Sequence, residues 1–153
     1  MLRLSKKADY ALMAMKHLAL RGDRGSSSAR EIASQYDIPI ELLAKVLQRL
    51  VRRGLLLSQQ GTRGGYQLAR TPTGISVADV IQAIDGPVTV MACSSQGERR
   101  CEQFSKCNVR DPLWKVRERI LAALGECTIA ELAAETPSLS APNVRAAVLH
   151  THT

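Results

Sequence analysis

Apolar residues at Ala8, Leu12, Met15 and Leu18/Ala19 recur every three to four positions, so the chain opens with an amphipathic helix that Ser5 can cap and Gly22 stops near Arg21. After a polar stretch from Asp23 to Ser27, the run Ser28-Ala29-Arg30-Glu31 sets a hydroxyl three residues before a carboxylate, a pairing that satisfies the exposed amides of a helix start. This second helix is short and ends near Tyr36. Asp37-Ile38-Pro39 predicts a tight turn, because Pro39 fixes its own φ, restricts Ile38 before it and suits the first position of a new helix. The third helix runs from Pro39 to Arg53 and closes at Gly54. Leu43, Val46, Leu47 and Leu50 make its inward stripe, leaving Glu41, Ala44, Lys45, Gln48, Arg49 and Arg52 outward or flanking.

Leu55-Leu56-Leu57 and Tyr66-Gln67-Leu68 flank Gly61-Thr62-Arg63-Gly64-Gly65, which predicts a β-hairpin with a basic, glycine-rich tip. Ser76 then starts a helix over Val77 to Asp85, with Gly86-Pro87 ending it. A loop from Met91 to Asn108 holds Cys93, Cys101 and Cys107. Asp111-Pro112 opens a long helix with one apolar stripe, Leu113, Val116, Ile120 and Leu124, and in so short a chain such a helix seeks a partner helix. Prolines, Ser and Thr without a sustained period mark Glu135 to Thr153 as a disordered tail. The fold class is mainly α with a small β-hairpin, a winged helix-turn-helix plus a long dimerisation helix. The expected division is 1–86 for the winged helix-turn-helix, 87–110 for the cysteine loop, 111–134 for the dimerisation helix and following turn, and 135–153 for the tail.

Charge turns this fold into a function class. The net charge of +7 is unevenly placed: residues 1–70 carry thirteen Lys and Arg against five Asp and Glu, and 71–153 carry eight against nine. The N-terminal half is therefore the polyanion-binding unit. A helix fits the major groove of B-DNA, and this class of fold sets the start of the third helix on base edges. Pro39, Glu41, Leu42 and Lys45 then face bases, Arg49, Arg52 and Arg53 face phosphates, and Arg63 at the wing tip reaches a minor groove, flanked by Gly64 and Tyr66. Few aromatic residues argue against a stacking platform for RNA or single strands. No signal-peptide core and no membrane-length apolar run is present, so the expectation is a cytoplasmic protein bound to double-stranded DNA with no membrane partner.

Cys93-x7-Cys101-x5-Cys107 is unlike the close pairs of structural zinc sites, and its spacing suits a loop folded around something larger than one ion. Thiolates serve iron–sulfur clusters and zinc alike, and both remain open on spacing alone. Cys127 reads as a packed small residue, His17 as a surface or hydrogen-bonded histidine, and His150 and His152 as inert parts of the tail.

Taken together, Leu4-Ser5-Lys6 with Asp9-Tyr10-Ala11, Arg63-Gly64-Gly65-Tyr66, Ile75-Ser76-Val77 and Ile84-Asp85-Gly86-Pro87 resemble the Rrf family of bacterial winged-helix regulators over roughly residues 1–133. Cys107-Asn108-Val109-Arg110, Trp114 and Ile129-Ala130-Glu131-Leu132 look most like the branch that regulates SUF iron–sulfur assembly. The resemblance implies a homodimer on a pseudo-palindromic operator, with an iron–sulfur cluster (2Fe-2S or 4Fe-4S) on Cys93, Cys101 and Cys107 tuning DNA affinity. One departure is Arg110, which stands where IscR-type members carry a ligating histidine. The resemblance to NsrR-type members then assigns the remaining ligand to Asp9, supplied by the other protomer. The alternative for Asp9 is a carboxylate that stabilises the positive end of the first helix, with solvent, a small thiol or Cys127 filling the ligand position instead. Two other functions are kept: a winged-helix factor with a cysteine redox, nitric-oxide or zinc switch, and an interaction module that does not bind DNA. No nucleophile–base pair, phosphate loop or spaced carboxylate pair points to an enzyme.

Overall fold

The computed structural model describes residues 3–91 and 101–134; Cys93 and the tail from 135, with His150 and His152, lie outside the described residues. Helix α1 (Lys6–Arg21) is capped by Ser5, whose hydroxyl accepts from the Ala8 amide at 3.1 Å. Ser5 also donates, through amide and hydroxyl, to the Asp85 carboxylate, tying the start of α1 to a later helix end. Helix α2 (Ala29–Tyr36) begins with the reciprocal Ser28–Glu31 cap that the sequence predicts. Such a cap is worth about 1 kcal/mol. Asp37 ends α2 with φ 52° and ψ 42°, a left-handed conformation that a short polar side chain tolerates and that turns the chain sharply into α3 (Ile40–Arg52). Pro39 sits at the cap of α3 rather than inside it.

The third helix buries Leu43, Val46, Leu47 and Leu50, the stripe read from its spacing. Gly54, at φ 75°, releases the chain into β1 (Leu56–Gln59), which pairs antiparallel with β2 (Gly65–Leu68) from Leu56 opposite Leu68 to Gln59 opposite Gly65. Helix α4 (Val77–Asp85) carries a second reciprocal cap, Ser76 with Asp79. The core runs through α1: Ala8, Ala11, Ala14, Met15 and Leu18 meet Ile32, Leu43, Leu47, Leu50, Leu56, Val80, Ile84 and Ile129. Three alanines on one face let the flanking helices approach α1 closely.

Helix α5 (Arg110–Glu126) is long and has no buried residue. Pro112 falls in its first turn, where an amide has no helical partner to lose. Leu113, Ile120 and Leu124 are half-buried, but Val116 is 42 % exposed and Trp114 43 %. The predicted stripe is thus only partly covered by the chain's own α4. After it, Thr128 and Glu131 cap α6 (Ile129–Ala134), which folds back on α1. Two backbone bonds lock this return, Val77 N to Cys127 O at 2.8 Å and Ile129 N to Ile75 O at 2.9 Å, and Ile129 is fully buried.

Candidate nucleic-acid interface and cysteine loop

Because Leu43, Val46, Leu47 and Leu50 face inward, the opposite side of α3 is solvent-facing by helical geometry. Pro39, Glu41 and Lys45 are exposed there and Leu42 is half-buried. Lys45, Arg49 and Arg52 line one groove of about 400 Å³ together with Leu42, Ile84 and Lys7 of α1. Arg53 is parted from them and lines a different groove with Arg70 and Asp79. Arg49 is also structural: its Nε donates to the Ala83 carbonyl at 2.7 Å, fixing α3 to the end of α4. That bond uses one nitrogen and leaves the terminal nitrogens of the fork to other partners.

Lys7 was not legible from sequence. It lies more than thirty residues from the third helix, and only the packing of α1 against α3 brings it to the same groove. At the wing, Arg63 is exposed and its carbonyl accepts from Ser26 Oγ at 3.1 Å. Gly64 and Gly65 have a steric reason. A Cβ at Gly64 would stand 2.5 Å from the Gln59 carbonyl oxygen, and one at Gly65 would stand 2.6 Å from that of Ser27. The space at Gly65 lets Ser27 and Tyr66 exchange backbone hydrogen bonds of 3.0 and 2.8 Å. Tyr66 is half-buried and its phenol accepts from Gln48 at 2.9 Å, joining wing to α3.

His17 is a hydrogen-bonded histidine, buried with both ring nitrogens engaged, by Tyr36 at 3.0 Å and Ser27 at 3.1 Å. Burial lowers its pKa, and the neighbouring Arg21 guanidinium pushes it the same way, with Glu31 opposing. Burial also raises the pKa of the Tyr36 phenol.

Cys101 and Cys107 are half-buried thiols outside any disulfide, on either side of a short 3-10 turn, Phe104–Lys106. Arg110 braces that turn: its guanidinium carbon stacks 4.4 Å from the Phe104 ring centroid and Nη1 donates to the Phe104 carbonyl at 3.3 Å. Its Nε meets Asp111 at 3.0 Å. Asp9 stands half-buried in the first turn of α1. Asp9, Cys101 and Cys107 are not brought together in one chain, and among the described residues no three His, Cys, Asp or Glu side chains are grouped to hold a metal. Cys127 caps α5, and its carbonyl accepts from the Val77 amide at the start of α4. No described helix is long and apolar enough to cross a membrane.

A capped helix-turn-helix, a hairpin braced against it and a basic groove along the outward helix define a winged-helix DNA-binding transcriptional regulator. The sequence comparison narrows the class. Residues 4–135 match the Rrf2 family, described as iron-dependent transcriptional regulators, and the chain belongs to that family. It is 35 % identical over 132 residues to the HTH-type transcriptional regulator IscR of Xenorhabdus nematophila, covering 86 % of this chain and 79 % of that protein. Among solved structures it resembles CymR, the global cysteine regulator of B. subtilis, with a TM-score of 0.72 and 28 % identity over 90 % of this chain and all of that one. IscR of T. potens matches with a TM-score of 0.67 and 27 % identity, covering 90 % of this chain and 94 % of that one.

Proposed function

We propose that this regulator binds a pseudo-palindromic operator as a homodimer and that an iron–sulfur cluster on Cys93, Cys101 and Cys107 sets its affinity. The observation that carries the reading is the cysteine loop itself. Two thiols outside any disulfide lie half-buried around a braced turn immediately before α5, in a chain similar to IscR proteins over most of its length. Thiolate donors of this kind suit a cluster, and the third, Cys93, stands eight residues before Cys101 in the sequence. The bound cluster would supply redox- and oxygen-sensitive chemistry, while the chain's own residues hold it and read the DNA. Arg110 supports a non-histidine fourth ligand, because its guanidinium is engaged with Phe104 and a guanidinium does not ligate metals. The assignment of that position is the partner subunit's Asp9.

The apolar stripe of α5, which α4 covers only in part and which leaves Val116 42 % exposed, supports pairing with a second copy. On DNA, Pro39, Glu41, Leu42 and Lys45 read bases, and Arg49, Arg52, Arg53 and Lys7 hold phosphates. Arg63 reaches a minor groove beside Gly64 and Tyr66. The proposed targets are genes for cluster assembly. Anaerobic purification tests the sensor: the protein should be brown, absorb broadly near about 320–420 nm, as thiolate-bound iron–sulfur clusters do, and contain iron and sulfide. Cys93→Ala, Cys101→Ala and Cys107→Ala should each be soluble, dimeric and colourless, while Cys127→Ala keeps its colour. A colourless wild type carrying zinc, or none with reversible thiol oxidation, would replace the cluster with the cysteine-switch reading.

A further inference from the structure

We infer that His17 is a positioning residue for the wing, acting through Ser27; the inference rests on the operator-binding reading. A two-stranded hairpin is marginal alone and takes its angle from what it leans on. Here β2 leans on the segment between α1 and α2. Residues 22–28 hold no apolar side chain, and Ser27 is the one residue among them that is buried. That segment therefore has no hydrophobic anchor. Its inward tether is Ser27 Oγ, 3.1 Å from His17 Nε2 inside the α1 core.

From Ser27 the connection continues outward. Its amide and carbonyl pair with Tyr66 of β2, its neighbour Ser26 donates to the Arg63 carbonyl at the wing tip, and Tyr66 in turn accepts from Gln48 of α3. His17, Ser27, Tyr66 and Gln48 thus form one polar chain from the core of α1 through the wing to the recognition helix. The ring is well suited to the inner end. Tyr36 holds Nδ1 at 3.0 Å and packs edge-on, with ring centroids 5.5 Å apart, which fixes the imidazole plane and aims Nε2 at Ser27. Either neutral tautomer is satisfied, since each hydroxyl can donate or accept.

The test uses the full-length protein and a duplex of about 30 bp, long enough for two half-sites, selected by the wild type from a random library. Ser27→Ala removes the tether with the least disturbance of packing. His17→Asn keeps a polar atom near Tyr36 but withdraws from Ser27, and His17→Gln reaches the position of Nε2. Ser27→Ala and His17→Asn should each weaken binding about tenfold, the scale of one buried hydrogen bond. Both should lose hydroxyl-radical protection in the flanking minor groove while guanine N7 protection in the major groove persists. His17→Gln should stay within about threefold of wild type, and Ser27→Ala combined with His17→Asn should be no weaker than either alone. In an Arg63→Ala background the Ser27→Ala effect should shrink to under about twofold, because both act through the wing.

Variants that lose thermal stability but keep wild-type affinity and footprint would overturn the inference, as would losses that add fully to that of Arg63→Ala. A wild type that selects no duplex overturns the operator reading and this inference with it. A wild type that binds, beside variants that match it, overturns the inference alone.

Discussion

Gly65→Ala isolates the joint between the wing and the helix-turn-helix. The backbone at Gly65 is not in the left-handed region, so alanine meets no conformational penalty and the cost is steric. The new Cβ would lie 2.6 Å from the Ser27 carbonyl carbon and oxygen and 2.9 Å from the Ser28 nitrogen, where ordinary contact begins at 3.4 Å. These are backbone atoms, so the strand must retreat by roughly 0.8 Å to restore ordinary contact. The Ser27–Tyr66 bonds of 3.0 and 2.8 Å would then stretch to the limit of hydrogen bonding or past it. Two net hydrogen bonds are worth about 1 kcal/mol each, and leaving buried Ser27 groups unsatisfied costs more. Against this, alanine restricts the unfolded chain and returns about 0.5–1 kcal/mol. The expected loss is about 2 kcal/mol by guanidinium denaturation, with operator affinity about tenfold weaker as the wing swings away. Gly125→Ala is the control, since nothing lies within 4 Å of its Cβ position in α5, and it should gain up to about 1 kcal/mol. Wild-type stability and affinity in Gly65→Ala would refute the close approach.

Lys7→Gln should weaken binding evenly across DNA sequences and reduce the slope of log affinity against log salt by about 0.9, the signature of one lost phosphate contact, as read by anisotropy titrations in varied salt. His17 makes stability pH-dependent with a definite sign. Its folded pKa lies below its ordinary 6.5, so the unfolded chain binds the proton more readily; stability is full above pH 6.5 and falls as pH drops from there toward the folded pKa. His17→Gln should flatten that decline in denaturation midpoints, and an unchanged pH profile would remove His17 as its source. Asp9→Ala, made anaerobically, should remain dimeric and keep most of its iron, yet show an altered spectrum and faster loss of colour in air. Identical spectra and air stability would leave Asp9 as a carboxylate at a helix start.

What could be read from sequence was local. Ser28 and Glu31 are three residues apart, so their reciprocal cap is written in adjacent positions, and Leu43, Val46, Leu47 and Leu50 define a face by spacing alone. Bounds moved by a residue where local preference was balanced, as at Pro39, which caps α3 instead of entering it. The partners of Arg49, His17 and Tyr66 were hidden because each lies across the fold: Ala83 is 34 residues from Arg49, and Gln48 is 18 from Tyr66. Helical period placed Val116 in the apolar stripe, but α4 covers only part of that stripe, so period gave the face and tertiary packing decided how much was buried. The return of α6 onto α1 was missed for a further reason. Its main locks are backbone bonds at Val77 and Ile129, which carry no side-chain signature.

The first turn of α1 would link the proposed cluster site to the proposed DNA contacts. Ser5 caps the helix and holds Asp85 at the end of α4, the same end whose Ala83 carbonyl receives Arg49 from the recognition helix. Lys7 lines the basic groove along α3. Asp9 is two residues further on, and at about 100° per residue it lies roughly 200° around the helix from Lys7. One turn therefore presents the proposed phosphate contact on one side and the proposed cluster ligand on nearly the opposite side. A rigid helix transmits displacement along its whole length, and Ala8, between these two positions, is fully buried in the core. Any force that draws Asp9 toward the cysteine loop of a partner subunit must then move Lys7 and the Ser5–Asp85 clasp with it. In the proposed dimer this would shift the two recognition helices relative to each other, the quantity that half-site spacing reads. The clasp supplies a way to separate transmission from ligation: Ser5→Ala should keep the colour of the cluster-loaded protein while narrowing the affinity difference between loaded and cluster-free forms. A full affinity difference in Ser5→Ala would mean that the signal travels by another route.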